Sequence, residues 1–312
     1  MLSRTAENLY WTGRYMERAE NLARVLDVSH RNALLGLSGA SPESEWRDAV
    51  ASLGNPPQFA DPEHRLDEVE VTRFFTVDGD STWSIKFCVR AARENARALR
   101  AVISTEMWES LNTTWLALRD LDESGLRSRG LREFFDWVKD RSHLFRGVTH
   151  GTTLHNDAFH FLRLGTFLER ADGTARLLDT KYQALADMDA EAPGATYYAW
   201  GAVLRQASAF RAYHQTYHDV ITPPRVAELL LLRPEMPRSL RFCANQVSEH
   251  LDALASTRDL EAQRLAGELH AQLRFARIDR VLARGLHDFL GNVTERLAQL
   301  STQLAQDFLM TV

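Results

Sequence analysis

Residues 13–27 read Gly13-Arg-Tyr-Met-Glu17-Arg18-Ala-Glu20-Asn-Leu-Ala-Arg24-Val-Leu-Asp27, and residues 165–179 read Gly165-Thr-Phe-Leu-Glu169-Arg170-Ala-Asp172-Gly-Thr-Ala-Arg176-Leu-Leu-Asp179. The two stretches share a glycine, a Glu-Arg pair and the spacing of their apolar residues, at an offset of 165 − 13 = 152 positions. A second match, Ser84-Ile-Lys-Phe-Cys88 with Ser239-Leu-Arg-Phe-Cys243, follows in the same order at an offset of 239 − 84 = 155. Two ordered matches at nearly one offset indicate an internal duplication, with copy one at about residues 1–150 and copy two at about 151–312.

Apolar residues recur at a helical period of 3.6 through most of the chain. The pattern predicts helices at about 3–29, 45–53, 81–102, 105–121, 128–146, 157–186, 197–219, 224–232, 238–257, 259–283 and 286–309. Nowhere does an alternation of polar and apolar residues last long enough for a β-strand. We therefore expect an all-α helical bundle, with residues 1–312 forming one domain that contains the internal repeat.

The composition excludes several classes of protein. Of 312 residues, 45% are hydrophobic and 25% charged, as in ordinary globular proteins. The net charge of −5 gives no reason to expect nucleic acid or an anionic membrane as a partner. No stretch approaches the roughly 20 apolar residues that span a bilayer, and Cys88 and Cys243 lack C-x-x-C spacing. These features predict a soluble, cytoplasmic protein with reduced, packed thiols.

Gly13 and Gly165 lie inside predicted helices, where glycine costs about 1 kcal/mol relative to alanine. A cost incurred twice suggests that another helix approaches closely at each position, so we expect the two helices to pack together there. The Glu-Arg pairs that follow allow two interpretations. Both pairs could form a duplicated network of ion pairs that fixes helix contacts, with Gly13, Gly165, Glu169 and Arg170 as its structural members. They could instead form a pseudo-symmetric carboxylate site that acts on or binds a ligand, with Glu17 as a catalytic candidate.

Polar residues that occur in copy one alone are the better candidates for a site. At an offset of 152, Asn156, Phe159, Leu162 and Thr166 stand in copy two where copy one has Arg4, Glu7, Tyr10 and Arg14. On a helical wheel, Glu7, Tyr10 and Arg14 share an arc of about 100° with Glu17, Arg18 and Asn21, opposite the aliphatic stripe. The arc could be a ligand-binding face, which we expect to line an open cavity, or an ordinary solvated face.

A second candidate surface lies on the predicted helix at 81–102. Arg90, Arg93, Arg97 and Arg100 step by three or four residues and so form one stripe. Glu106 and Asn112 open the next helix beside it. Guanidinium groups in such a stripe bind phosphate, carboxylate or an acidic partner surface. A solvated face with internal ion pairs is the alternative.

Motifs for the common cofactors are missing from the sequence. There is no G-x-x-x-x-G-K-[ST] loop, no G-x-G-x-x-G after a strand and no G-x-S-x-G elbow. The two Glu-x-x-His motifs of a di-iron bundle and the H-E-x-x-H motif of zinc proteases are also absent. We therefore expect no cofactor, no metal and no nucleotide cradle within this chain.

The chain resembles the alpha-E family, and five stretches carry the resemblance. These are the opening run Leu2-Ser-Arg4-Thr-Ala-Glu7-Asn-Leu-Tyr10-Trp11-Thr-Gly13-Arg14-Tyr-Met-Glu17-Arg18, the segment Cys88-Val-Arg90-Ala-Ala-Arg93-Glu94-Asn95-Ala-Arg97, the segment Ser104-Thr-Glu106-Met-Trp108-Glu109-Ser-Leu-Asn112, the segment Phe161-Leu-Arg-Leu-Gly165-Thr-Phe-Leu-Glu169-Arg170-Ala171, and the segment Pro237-Arg238-Ser239-Leu240. Because the resemblance begins at residue 2, we expect no cleaved leader. The resemblance implies association with circularly permuted ATP-grasp ligases and a part in making peptides through ATP-dependent amide bonds.

Two functional hypotheses follow from the resemblance and the residues together. The first is an accessory or binding subunit of an ATP-grasp-dependent peptide- or amide-bond-forming system, with the ligase as partner and a peptide or amino acid as ligand. Its ligand-binding residues would be Arg4, Tyr10, Arg14, Arg18, Arg90, Arg93, Arg97 and Asn112. The alternative is an enzyme in its own right, with Glu7, Glu17 or Glu106 as acid or base beside arginines that hold a carboxylate substrate.

Overall fold

The computed structural model describes residues 2–36, 41–61, 63–186, 193–255 and 260–308. Within these ranges the chain forms fifteen α-helices, one short 3₁₀-helix and no strand, so the predicted all-α class is confirmed. The helices are α1 (Ser3–Leu35), α2 (Pro42–Ser52), α3 (Glu68–Thr76), α4 (Ile85–Ala98), α5 (Thr105–Arg119), α6 (Glu123–Arg129), α7 (Leu131–Thr152), α8 (Asp157–Ala186), α9 (Pro193–Gln206), α10 (Phe210–Tyr217), α11 (Pro223–Leu232), α12 (Leu240–Ala255), α13 (Glu261–Phe275), α14 (Ile278–Arg284) and α15 (Leu286–Phe308).

The two longest helices, α1 and α8, pack against each other. A Cβ atom on Gly13 would press into the carbonyl oxygen of Leu162, and one on Gly165 would press into the carbonyl oxygen of Tyr10. Each would lie far inside the 3.0 Å that real Cβ atoms essentially never cross. Only glycine lets the two backbones approach this closely. The close contact predicted from the unfavourable placement of glycine inside both helices is therefore present at Gly13 and at Gly165.

The helices around α1 and those around α8 occur in the same order. Helices α4 and α7 pack on α1, while α12 and α15 pack on α8. The side chains of Ser84 and Ser239 each accept a hydrogen bond of 3.0 Å from the backbone N–H three residues later. Helices α7 and α15 each follow a glycine with positive φ, Gly130 at +87° and Gly285 at +106°. Both pairs of positions are 155 residues apart.

Buried side chains form two apolar clusters that share α1. One cluster contains Leu26 of α1 and lies among α2 to α7; the other contains Leu9 of α1 and lies mainly among α8 to α15. Cys88 belongs to the first cluster and Cys243 to the second, and neither is exposed. Burial raises the pKa of each thiol to about 12, so both remain protonated at neutral pH.

Several helix boundaries differ from those predicted. The predicted helix at 128–146 is divided at Gly130 between α6 and α7, and the one at 197–219 is divided near Ser208, whose φ is +54°. The apolar period continues across both breaks, so periodicity alone could not locate them. Helix α3 was missed, although the side chain of Asp67 caps it by accepting from the N–H of Glu70. Residues 256–259 and 309, at predicted helix ends, lie outside the described residues.

Across the ranges given above, every helix is too short or too polar to cross a lipid bilayer.

Candidate functional site

The two Glu-Arg pairs bind each other crosswise between α1 and α8. Arg170 donates from Nε and Nη2 to the two carboxylate oxygens of Glu17, at 2.9 and 2.8 Å. Arg18 donates from Nε and Nη2 to the two carboxylate oxygens of Glu169, at 2.5 and 3.0 Å. Parallel bonds of this kind are the strongest arrangement of guanidinium and carboxylate. The two bidentate pairs therefore fix how α1 and α8 are aligned.

On one side of this contact, Glu17 lies in a buried cluster of arginines. Besides Arg170, it contacts Arg238 at 3.0 Å and Arg146 at 3.4 Å. Burial alone would raise the pKa of Glu17, but the charges of Arg170 and Arg238 outweigh it and hold that pKa below its usual value. A carboxylate that stays ionised, is only 2% exposed and is held by three cations is poorly suited to exchange protons with a substrate. These contacts favour a structural role for Glu17.

On the other side, Glu169 is shared by two arginines of α1. In addition to Arg18, Arg14 donates from Nε to Glu169 at 2.7 Å and from Nη1 to the hydroxyl of Tyr10 at 3.1 Å. Burial would raise the pKa of Glu169, but Arg14 and Arg18 lower it to about 2. Two guanidinium groups thus share a single carboxylate, which leaves one positive charge uncompensated.

These two arginines face an open cavity of about 700 Å³ between α1, α4, α8 and α15, which we call the arginine pocket. One wall is aromatic, the floor is aliphatic, and the charged side chains come from α1 and α8. The lining residues include Trp11, Arg14, Tyr15, Arg18, Trp83, Phe87, Leu168, Glu169, Asp172, Arg176, Leu297 and Ser301. The volume is within the range of small-molecule sites, which are typically about 300–1,000 Å³.

The aromatic wall is tightly built. The rings of Trp11 and Tyr15 stack with their centroids 5.4 Å apart, and Tyr15 meets Phe87 edge-on at 5.9 Å. The guanidinium carbon of Arg14 lies 5.3 Å from the ring centre of Trp11. Rings that pack on one another and on a cation lose little freedom when a ligand binds, so this wall is a preorganised apolar surface.

A comparison of positions 155 residues apart shows how the two sides of the α1–α8 contact differ. Ser301 and Trp83 line the arginine pocket, and their counterparts on the other side are Arg146 of α7 and Arg238 of the segment before α12. Arg146 and Arg238 reach Glu17 and fill the space around it, whereas the short side chain of Ser301 leaves space beside Glu169. The ion pairs recur on both sides of α1 and α8, but the large cavity forms on one.

The charge of the arginine pocket suits an anionic group. Three arginines (Arg14, Arg18, Arg176) face two carboxylates (Glu169, Asp172), so one positive charge is in excess. Arg176 pairs with Asp172 at 2.8 Å. Arg14 and Arg18 use only two nitrogens each, so among the described residues Nη2 of Arg14 and Nη1 of Arg18 donate to no protein acceptor. These free N–H groups can bind a carboxylate or phosphate.

Two other predicted residues of α1, Arg4 and Glu7, do not line the arginine pocket. Arg4 is exposed and Glu7 is half-buried, and neither forms an ion pair among the described residues. Tyr10 is buried, with 3% of its surface exposed, and its hydroxyl accepts a hydrogen bond from Arg14. The polar arc predicted on α1 is thus divided: Arg14 and Arg18 reach the cavity, and Glu7 does not. Phe159 and Leu162, which lie 152 residues after Glu7 and Tyr10, are buried, as expected.

The arginine stripe of α4 forms a separate surface. Arg93 donates to the side-chain oxygen of Asn112 at 3.2 Å, pairs with Glu94 and lies 5.3 Å from the ring centre of Trp108. Arg97 is exposed and lies 3.7 Å from Glu94. Arg90, whose guanidinium packs on Phe87, is exposed too, and so is Arg100, which lies beyond the end of α4 with its guanidinium 5.2 Å from the ring centre of Trp108. Glu106 at the start of α5 is also exposed. Their mutual contacts fit the solvated-face alternative as well as a binding surface.

Sequence reasoning missed several pocket residues, among them Trp83, Phe87, Asp172 and Arg176. Asp172 and Arg176 lie inside the repeated stretch, where a charged residue in both copies indicates scaffold rather than site. Trp83 could have been found by its difference from Arg238, its counterpart at an offset of 155. A repeated polar residue can therefore belong to a site when the two copies face different surroundings.

The histidines form a polar–aromatic cluster between α8 and α12. The Nδ1 atoms of His160 and His250 lie 3.0 Å apart, so one ring donates to the other. His250 stacks on Phe167, and burial together with Arg163 lowers its pKa to about 3. In the part of the chain that the structure describes, no group of three or more His, Cys, Asp or Glu residues could hold a metal ion.

Comparison with known proteins identifies the family. No curated protein and no solved structure gives a significant match. A family model called Alpha-E, described as "a predicted alpha-helical domain with a conserved ER motif", matches residues 1–309. The chain has Glu-Arg dipeptides at 17–18, 169–170 and 295–296, and the first two are the pairs that cross between α1 and α8. Since the match covers nearly the whole helical chain, the protein belongs to the Alpha-E family.

Proposed function

We propose that the protein is an accessory, ligand-binding subunit of an ATP-grasp-dependent system that forms peptide or amide bonds. In this proposal the arginine pocket holds a carboxylate-bearing ligand, such as a peptide or an amino acid, for the partner ligase. The observation that carries the proposal is the shared carboxylate: Arg14 and Arg18 divide Glu169 between them and present free N–H groups to an open, aromatic-walled cavity.

The ligand would be held by two kinds of contact. Its carboxylate would bind Arg18, whose side chain is 31% exposed, with Arg14 behind it at 15%. Its apolar body would pack against Trp11, Tyr15 and Trp83. A guanidinium gives directional, bidentate hydrogen bonds to a carboxylate, and aromatic rings supply contact area at low entropic cost. Together they suit an acid that carries an apolar or aromatic group.

A binding role is better supported than the alternative of an independent enzyme. The carboxyl group deepest in the pocket, Glu169, has its pKa lowered to about 2, so it holds no proton to donate at neutral pH. Glu7 and Glu106 lie outside the pocket, and Glu17 is enclosed by arginines. An amide ligase also needs ATP, and the sequence contains no nucleotide-binding motif.

Two further elements belong to this proposal. We attribute the recurring helices to duplication of a unit of about 150 residues. The crosswise Glu-Arg pairs, the reciprocal glycine contacts and the glycine turns before α7 and α15 support this.

We also propose that the protein acts in the cytoplasm, where ATP is made. Two buried, unpaired cysteines are in keeping with a reducing compartment.

Ligand binding is tested by calorimetric titration with a matched pair of probes. N-acetyl-L-phenylalanine has a carboxylate, and N-acetyl-L-phenylalaninamide has the same body without the charge. We expect the acid to bind and Arg18→Met to weaken it about 10- to 100-fold, since a charged hydrogen bond contributes about 1.5–3 kcal/mol. Arg127→Met is the control, because Arg127 is an exposed arginine of α6 paired only with Glu123. Equal binding of acid and amide would contradict the assignment.

The partner is tested separately, by co-purification of the tagged protein with an ATP-grasp amide ligase from the same genome. We expect a complex and a change in ligase activity when both proteins are present. If the ligase neither associates nor responds, the accessory role is wrong, whatever the outcome of the ligand titration.

A further inference from the structure

The arginine cluster on the opposite side of the α1–α8 contact carries more positive charge than its carboxylates offset. Five arginines lie around two glutamates; they are Arg24, Arg146, Arg163, Arg170 and Arg238 around Glu17 and Glu20. The excess is three positive charges in a protein whose net charge is −5. Glu17 and Glu20 are almost wholly buried, and Arg170 and Arg238 are each 7% exposed. Uncompensated charge is costly in such a place.

The surrounding side chains add little compensation. The negative charge of Asp140 acts on His143, and that of Glu249 acts on Arg163. Both carboxylates are exposed to solvent, which weakens their effect. The ring of His143 lies at the rim with Nε2 at 3.1 Å from Arg24, and burial lowers its pKa, so the ring is neutral and leaves the charge balance unchanged. The excess of three positive charges remains.

A small cavity adjoins this cluster between α1, α7 and α8. Its volume is about 10 Å³, close to the size that holds a single water-sized sphere. The walls include Gly13 and Glu17 of α1, Ser142 and Arg146 of α7, and Arg163 of α8. A phosphate or a carboxylate-bearing ligand is too large for it. One water molecule or one monatomic ion fits.

Two polar atoms at this cavity have no hydrogen-bond partner in the part of the chain that the structure describes. Nε of Arg163 and the hydroxyl oxygen of Ser142 are both buried and form no hydrogen bond. Arg146 forms its hydrogen bonds through Nη1 alone. The carboxylate of Glu17 is already held by Arg170 and Arg238. A buried donor without an acceptor loses its hydrogen bond to water and gains nothing in return, so an acceptor is needed here.

The guanidinium of Arg163 shows how unfavourable this arrangement is. Its charge lies over the ring of Phe167, 4.4 Å from the ring centre, and it has no carboxylate partner among the described residues. Burial, together with the nearby charge of Arg170, lowers its pKa to about 10. An anion beside Nε would offset the excess charge and satisfy the unpaired donor.

We infer that the cavity between α1, α7 and α8 binds a monatomic anion, chloride under ordinary conditions. Its ligands would be Nε of Arg163, the rotated hydroxyl of Ser142 and the guanidinium of Arg146. The ion would neutralise part of the cluster that aligns α1 with α7 and α8. The site is distinct from the arginine pocket, which lies on the other side of Gly13 and Gly165 and does not share these residues.

The test is thermal unfolding of the full chain in sodium chloride or sodium gluconate at equal ionic strength. Chloride should raise the unfolding midpoint by about 2–4 °C along a saturable curve, while gluconate, too large for the cavity, should give only a small, unsaturable change. Ser142→Ala should weaken the chloride response several-fold, and Arg163→Met should abolish it. Arg225→Met makes the same chemical change at a half-buried surface arginine that pairs with Asp219 and does not line the cavity, and should keep the full response.

Crystals soaked in sodium bromide give a second, independent readout that does not depend on the variants folding. We expect one anomalous peak within hydrogen-bond distance of Arg163 Nε and Ser142. A water molecule in the cavity with no anomalous peak, or equal stability in the two salts, would overturn the inference. Neither result would affect the proposed role of the arginine pocket.

Discussion

Replacing Gly165 by alanine tests the central contact of the fold. At an exposed position inside a helix, this change stabilises a protein by about 1 kcal/mol, because alanine is the better helix former. At Gly165 the added Cβ would lie about 1 Å too close to the carbonyl oxygen of Tyr10, in an interior packed as tightly as a crystal. That oxygen belongs to the α1 backbone, so it cannot rotate away. Helices α1 and α8 must separate instead.

The cost follows from the weaker packing between the separated helices. A gap of about 0.5–1 Å removes a quarter to a half of each dispersion interaction, and a buried side chain of leucine size makes about 40–60 atomic contacts of about 0.1–0.2 kcal/mol each. The lower limits give about 1 kcal/mol for each such side chain. Three large side chains lie near the contact: Tyr10, Met16 and Leu162. The loss is about 3 kcal/mol; after the helix-propensity gain, Gly165→Ala should destabilise the protein by about 2 kcal/mol or more.

Urea unfolding followed by circular dichroism measures this change, with Gly291→Ala as the matched control. Gly291 lies inside α15, and a Cβ there would meet nothing within 4 Å. We expect Gly291→Ala to be neutral or stabilising and Gly13→Ala to resemble Gly165→Ala, because its Cβ would meet the corresponding carbonyl oxygen on α8. If Gly165→Ala were as stable as the parent protein, the close approach of the two backbones would be refuted.

Two further predictions concern acid stability, measured by urea unfolding across pH. The pKa of Glu169 is lowered from 4.5 to about 2 in the folded protein, so its stabilisation is complete above pH 4.5 and is lost as the pH falls towards 2; about 3 kcal/mol should be involved, and Glu169→Gln should remove this dependence. For His250 the pKa is lowered from 6.5 to about 3, so the neutral ring favours folding above pH 6.5 and its contribution falls as acid is added. About 2 kcal/mol should be lost by pH 5, and His250→Phe should flatten the curve between pH 6.5 and 5; an unchanged curve would contradict the buried, neutral ring.

Features that lie within one helix, or that repeat along the chain, were accessible from the sequence. The period of 3.6 fixed the all-α class, because it depends only on which side chains of one segment share a face. The unfavourable glycines at 13 and 165 indicated the contact between α1 and α8, since a helix tolerates that cost only where a backbone comes close. The paired Glu-Arg dipeptides indicated a charge network, although not that each glutamate binds the other pair's arginine.

The arginine pocket was only partly accessible, and the tertiary structure decided the rest. The wheel placed Arg14 and Arg18 on the same arc as Glu7, but Glu7 is half-buried and does not line the cavity. Whether the pocket is open depends on Ser301 and Trp83, which lie more than 60 residues along the chain from either arginine. Periodicity gives the direction of a side chain around its own helix axis. The crossing of two helices and the size of the side chains brought in from other helices determine what that side chain meets.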